Sequence, residues 1–170
     1  MTFKNSILLL SFLLFSIISF GQKTADDFIK SGNQKESAKD YSGAAKDFAQ
    51  AVQIDPKNSE ALYYLGYINF EMKDYESAIM HFDLAIKSDS GSVELFYNRG
   101  NAKFELKDYK GAIDDFGKAI LLDPQDEECY YNRAIAEYNI GESEASCKDL
   151  QMASKLGDTM ADAVIKELCH

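Results

Sequence analysis

Few side chains in this sequence are placed to do covalent or metal chemistry. The histidines are His81, inside a stretch that reads as helix, and His170, the last residue; the cysteines are Cys129, Cys147 and Cys169. Cys147, Cys169 and His170 could approach one metal ion, but a fourth ligand at a recognised spacing is missing, so no metal site is expected. Asp114 and Asp115 are adjacent carboxylates, yet neighbours on a helix point about 100° apart and share no proton, so the pair reads as a solvated helix face. No strand pattern precedes a Gly-rich loop that would cradle phosphate. Neither a catalytic centre nor a cofactor is expected. Recognition chemistry is better represented: Tyr63, Tyr97 and Tyr131 recur at one spacing, and tyrosine combines a large contact area with a polar tip.

Those tyrosines are equally spaced because the whole chain repeats every 34 residues. Ser59 to Ser92 and Val93 to Asp126 are identical at 14 of 34 positions. A period of this length implies a stacked helical array. With units starting at Ala25, Ser59, Val93 and Glu127, position 8 is Gly32, Gly66, Gly100 and Ala134, and position 20 is Ala44, Ala78, Ala112 and Ser146. Small residues there mark the crossing of two antiparallel helices, with the large residue at position 24 (Phe48, Phe82, Phe116, Leu150) filling the space beside it. Lys39-Asp40-Tyr41, Lys73-Asp74-Tyr75 and Lys107-Asp108-Tyr109 break each unit near its middle, and Asp55-Pro56 and Asp123-Pro124 close the first and third. Proline cannot continue a helix, so each unit reads as a helical hairpin.

The pattern resembles the tetratricopeptide repeat family from Ala25 to about Asp158, through positions 8, 20, 24, 27 and 32, Tyr41, Tyr75 and Tyr109 at position 17, and Leu65 at position 7. It departs at position 4, where Phe28, Leu62, Phe96 and Tyr130 replace tryptophan, at Ser90 in place of a closing proline, and at Gly141-Glu142-Ser143 in the fourth inner turn. The resemblance implies an all-α solenoid with a right-handed superhelix. Its four units would be 25–58, 59–92, 93–126 and 127–158, within a repeat domain spanning 22–170. Met160, Ala163, Val164 and Leu168 fall at helical spacing, as a capping helix over 159–169 requires.

In the resembled family the first helix of each unit lines a concave groove that holds a peptide or partner helix. Here positions 2, 5, 9 and 12 share that face. The candidate groove residues are Tyr63, Tyr67, Phe70, Tyr97, Asn101, Phe104, Tyr131 and Tyr138, with Glu71 and Glu105 at position 13. Asp26, Glu60, Glu94 and Glu128 at position 2 suit the start of a helix through its dipole, worth about 0.3 to 1 kcal/mol without any ligand. Glu71 and Glu105 lie near helix ends where negative charge is disfavoured, and they point to a groove that selects a basic partner. The alternative is a structural or self-associating module in which the tyrosine column is packing. Members that clamp a terminal carboxylate need cations where this chain has Ile29, Glu94 and Asn98, and asparagine where it has Tyr64, so that mode is not expected. Arg99 and Arg133 at position 7 read as seam residues paired to nearby acids.

Residues equidistant from the turn of an antiparallel hairpin face one another. Cys147 and Cys169 lie 11 residues either side of Asp158, whereas Cys129 opposes Ser154. The expected disulfide is Cys147 to Cys169, with Cys129 free and buried; three reduced core cysteines are the alternative.

The chain opens with Lys4, an apolar run from Ile7 to Phe20, and Ser19 and Gly21 at small-residue positions, the layout of a signal peptide over 1–21 cleaved after Gly21. The run is shorter than the ~20 residues of a spanning helix, so no membrane span is expected after cleavage, and the product would be periplasmic or secreted. Without that segment, 17 basic and 28 acidic side chains leave a net charge of -11. Such a balance disfavours nucleic acid and anionic membranes and permits a protein or peptide partner of basic character, though strong net charge alone more often reflects solubility.

Overall fold

The computed structural model describes residues 23–169; the expected signal segment and its cleavage site lie outside them. Nine helices follow one another among the described residues, with no strand: α1 (Ala25–Ser37), α2 (Tyr41–Ile54), α3 (Ser59–Glu71), α4 (Tyr75–Ser88), α5 (Val93–Glu105), α6 (Tyr109–Leu122), α7 (Glu127–Asn139), α8 (Ser143–Leu156) and α9 (Thr159–Leu168). They form four antiparallel hairpins with α9 packed against α8. The first helices also touch across units, α1 with α3, α3 with α5 and α5 with α7, and no pair of second helices contacts as extensively. First helices therefore line the tighter, inner face of the solenoid.

The Lys-Asp-Tyr breaks become identical turns. Lys39, Lys73 and Lys107 take left-handed φ values of 59°, 63° and 62°. The next residue's N–H then reaches back to the helix, as in Asp40 N to Lys35 O at 2.8 Å, while Lys39 N bonds Glu36 O at 2.7 Å. This pair of bonds satisfies carbonyls that the helix end leaves open. Asp40, Asp74 and Asp108 then cap the second helices by accepting from the N–H of Gly43, Ser77 and Gly111. In the fourth turn Gly141 takes the left-handed position at φ 86°, and Glu142 makes no side-chain cap. That departure exchanges one contribution for another: glycine removes a conformational cost of about 1 kcal/mol, and the lost cap gives up a similar amount.

Ser90 also has a physical account. Asp55, Asp89 and Asp123 each accept a bond from the N–H two residues on, at 3.2, 3.0 and 2.9 Å, which turns the chain with or without proline.

The hairpin core rests on one pairing. A methyl placed on Gly32, Gly66 or Gly100 would sit 2.6, 2.8 or 2.8 Å from the ring of Phe48, Phe82 or Phe116, all fully buried. The fourth hairpin replaces glycine and phenylalanine together, by Ala134 and Leu150, both fully buried. The smaller side chain leaves room for the added carbon.

Beside this apolar pairing runs a polar column built from positions 7, 11 and 23. Asp47 receives Lys35 Nζ at 2.6 Å and Ser31 Oγ at 2.6 Å. His81 Nδ1 meets Asn69 Nδ2 at 2.9 Å, and burial holds this histidine below its ordinary pKa. Asp115 receives Arg99 at 2.5 Å and Lys103 at 2.8 Å, and Asp149 receives Arg133 at 2.6 Å. The seam expectation for the two arginines agrees with these contacts. Asp115 departs from its expectation as a solvated residue. It is 2% exposed, because the helix turns it inward while Asp114 stays in water.

In the fourth hairpin position 11 is Glu137, where the first and third carry lysine. Its Oε2 is buried with no partner, and burial, then the Asp149 carboxylate, pushes its pKa up to about 7.

Cys147 and Cys169 are disulfide-bonded, with Cα atoms 5.7 Å apart, and Cys129 is free and fully buried. The bond closes 22 residues and fastens α9 to α8, worth roughly 3 kcal/mol in the chain-entropy model.

Candidate functional site

The first-helix face carries the tyrosine column, and its members are half-buried. Tyr63 stacks on Tyr67 at 6.5 Å and leans on Phe82 at 6.3 Å, and Tyr97 leans on Phe116 at 6.1 Å. The Tyr97 hydroxyl reaches forward one unit. Tyr97 donates to Glu128 Oε2 at 2.9 Å and accepts from Asn132 Nδ2 at 3.1 Å. Burial, above all, raises the pKa of Tyr63, Tyr67 and Tyr97 above the usual tyrosine value. Each is a neutral phenol at physiological pH, able to donate and accept but not to act as a base.

Glu71 and Glu105 have neighbours that the sequence did not suggest. Tyr41, at position 17 of the first unit, faces Glu71 of the second, and Tyr75 of the second faces Glu105 of the third. Burial and then the facing carboxylate raise both phenols. A carboxylate at the end of the first helix is thus accounted for by an inter-unit contact. Tyr109 would find Asn139 at the equivalent place, and no such acid is present there.

Five of the ten candidate groove residues, Phe70, Asn101, Phe104, Glu105 and Tyr131, line one cavity of about 280 Å³ together with Phe116, Asn132 and Ile135. It lies on the inner face where α3, α5 and α7 meet. Tyr97 and Tyr131 border a second hollow of about 430 Å³ towards α9, and Tyr63 a third of about 500 Å³ between α3 and α5. Tyr67 and Glu71 sit on α3 outside these hollows, and Tyr138 stands 46% exposed near the end of α7. The candidate residues are therefore spread over several subsites, with one concentration. Ile135, at position 9 of the fourth unit, belongs to the face that positions 2, 5, 9 and 12 share; Asn132 was missed. The recurrence of asparagine at position 6, Asn98 and Asn132, was the available sign.

Acids fringe these hollows. Asp26 and Glu60 border the one beside α1; Glu60, Asp89 and Glu94 the next; Glu127, Glu128 and Asp158 the last, with Lys30 the one cation among the lining residues. A surface of this kind offers aromatic area, acceptors and negative potential. Cys129 is buried away from it, and burial raises that thiol further from ionisation.

Two tetratricopeptide repeat models match the sequence, one at residues 37–96 and one at 93–126, together more than half of the 170-residue chain. A comparison with curated proteins finds no match. Among solved structures, a crystal structure of MamA is 25% identical, with 74% of each chain covered and a TM-score of 0.73. MamA from Desulfovibrio magneticus RS-1 superposes at a TM-score of 0.75 over 79% of this chain and 78% of that one, at 17% identity. The first TPR of Spaghetti (RPAP3) bound to the HSP90 peptide SRMEEVD gives 0.67 over 69% and 93%, at 20% identity. With the repeated hairpins, the Gly-Phe pairing and these matches in place, the chain belongs to the tetratricopeptide repeat family.

Proposed function

We propose that this protein is a non-catalytic interaction scaffold that holds a basic peptide or partner helix along the inner face of its first helices. The observation that carries the reading is the cavity lined by Phe70, Asn101, Phe104, Glu105 and Tyr131, set in a face whose hollows are fringed by acids. Aromatic area within a concave surface is what interface anchors need, and the acidic fringe attracts positive partners and repels negative ones. The RPAP3 repeat carries an acidic peptide; this chain has the opposite charge along its groove and lacks clamp cations, so a partner of opposite sign is the complementary choice.

Binding to an array of peptides of varied charge, followed by nuclear magnetic resonance mapping of the bound peptide, tests this. Arginine- and lysine-containing peptides should be enriched, with shifts on α3, α5 and α7. Phe104→Ala should weaken them about tenfold with helicity retained. A preference for acidic peptides, or shifts confined to the outer helices near Met80 and Leu84, would sink the reading.

A second reading, a structural or self-associating module, draws on the bonds from Tyr97 to Glu128 and Asn132, which give that tyrosine an internal role. Under it, sedimentation would find a concentration-dependent mass that changes when Tyr138 or Tyr131 is replaced.

We also propose that residues 1–21 direct export and that 22–170 form the mature repeat domain. The disulfide supports this, since such bonds persist in oxidising compartments. An exported product whose mass begins at Gln22 is expected; one retaining Met1 in the cytoplasm would count against it.

A further inference from the structure

We propose that the cavity at the meeting of α3, α5 and α7 is a pocket for the side chain of an arginine, the residue through which the basic partner is anchored. The inference rests on the groove reading above and narrows it to one chemical group.

Three features of the pocket select a guanidinium. The first is flat apolar surface held in place. Phe70 and Phe104 line it, and each ring is braced edge-on by a tyrosine of its own hairpin, Tyr75 at 5.4 Å and Tyr109 at 5.2 Å. Tyr131 adds a third ring. Rings set before a ligand arrives lose little freedom on binding. A guanidinium stacks on such faces and is more weakly hydrated than an ammonium, so it enters a partly apolar cavity at lower cost.

The second feature is an excess of acceptors. The proton of the Tyr97 hydroxyl goes to Glu128. Any amide meeting that hydroxyl must therefore present N–H to its lone pairs, as Asn132 does at 3.1 Å. Asn132 thus retains its Oδ1 acceptor for the pocket, and the Asn101 amide lines it from α5. Glu105 supplies a carboxylate that forms no ion pair among the described residues. Arginine carries five N–H donors in one plane and no acceptor, the inverse of this set.

The third feature is size and sign. About 280 Å³ suits one long side chain and is small for a folded element, and the lining residues include no lysine or arginine. A carboxylate ligand would meet Glu105 with nothing to neutralise it.

The test uses the purified protein and three small probes: Nα-acetyl-arginine amide, Nα-acetyl-lysine amide and Nα-acetyl-citrulline amide, the last having the shape of arginine without its charge. Titrations followed by nuclear magnetic resonance should give saturable shifts at Phe70, Phe104 and Tyr131 with the arginine probe. Citrulline and lysine should bind about tenfold more weakly or less. Glu105→Gln should bring the arginine probe down to the citrulline level, and Asn101→Ala should weaken it several-fold. Glu105 is exposed, so its variant is expected to keep the native spectrum. Equal binding of arginine and citrulline, equal binding of lysine, or no saturable shift at these residues overturns the pocket. If basic peptides map to the inner face while the arginine probe is silent, the pocket falls and the groove reading stands. If the probe binds here and no peptide does, the groove reading falls alone.

Discussion

Tyr97 of α5 and Glu128 of α7 are joined by a 2.9 Å hydrogen bond across a unit boundary, 31 residues apart in sequence. With its companion from Asn132 it makes α5 to α7 a directional contact, as the Arg99–Asp83 ion pair does between the second and third hairpins. Tyr97→Phe keeps the ring and loses both bonds, and should destabilise the protein by about 0.5 to 1.5 kcal/mol in urea. Combined with Glu128→Gln, the two changes should cost less than their sum. Strict additivity would mean that the bond contributes nothing.

Gly100 and Phe116 supply a second prediction. Gly100→Ala forces a methyl to 2.8 Å from the ring and should cost about 1 to 3 kcal/mol. Adding Phe116→Leu, the arrangement that Ala134 and Leu150 already have, should recover part of that loss. A double variant as unstable as the summed singles would refute the idea that positions 8 and 24 are chosen as a pair.

The disulfide predicts localised loosening. Reduction, or Cys169→Ser, should raise amide exchange in α9 far more than in α3 to α6, since the bond ties only the last helix. In the reduced native protein, alkylation should reach Cys147 and Cys169 ahead of Cys129, which is fully buried with its thiol pKa raised. Unchanged α9 protection would show that packing alone holds it.

Glu137 predicts a pH dependence whose sign follows from its environment. Its folded pKa, about 7, lies above its ordinary 4.5, so the folded state holds the proton more tightly than the unfolded chain. Its contribution is fully present below about pH 4.5 and is lost as pH rises towards and through about 7. Burial is the main cause of the rise, the Asp149 and Glu142 carboxylates add to it, and Arg133 opposes it. Denaturation across that range should show stability falling in the native protein and a flatter profile in Glu137→Gln. A variant with the same slope would place the effect elsewhere. Glu137→Lys, which copies Lys35 and Lys103, should raise stability at pH 8.

The hairpins and the Gly-Phe core were legible in the sequence because repetition averages away local noise: a Lys-Asp-Tyr break is ambiguous once and clear three times, while its left-handed lysine and capping aspartate emerged only in the structure. The disulfide pairing was legible because distance from a turn sets what faces what in a hairpin. The polar column was half legible. Arg99 and Arg133 suggested paired acids, but Asp115 and Asp114 look alike in a string of letters, and only the roll of α6 decides which one meets Arg99. Glu71 and Glu105 mark the limit most clearly. Their place at a helix end was read as a message about a ligand, and the structure brings Tyr41 and Tyr75 of the preceding units against them. Contacts within a hairpin depend on local spacing, which a sequence carries. Contacts between hairpins depend on the angle at which one unit stacks on the next, and that angle is a sum over the whole interface; no single residue encodes it. The repeat, the face and its charge therefore came from the sequence alone, and the grouping of Phe70, Phe104 and Tyr131 into one cavity came only from the stacked fold.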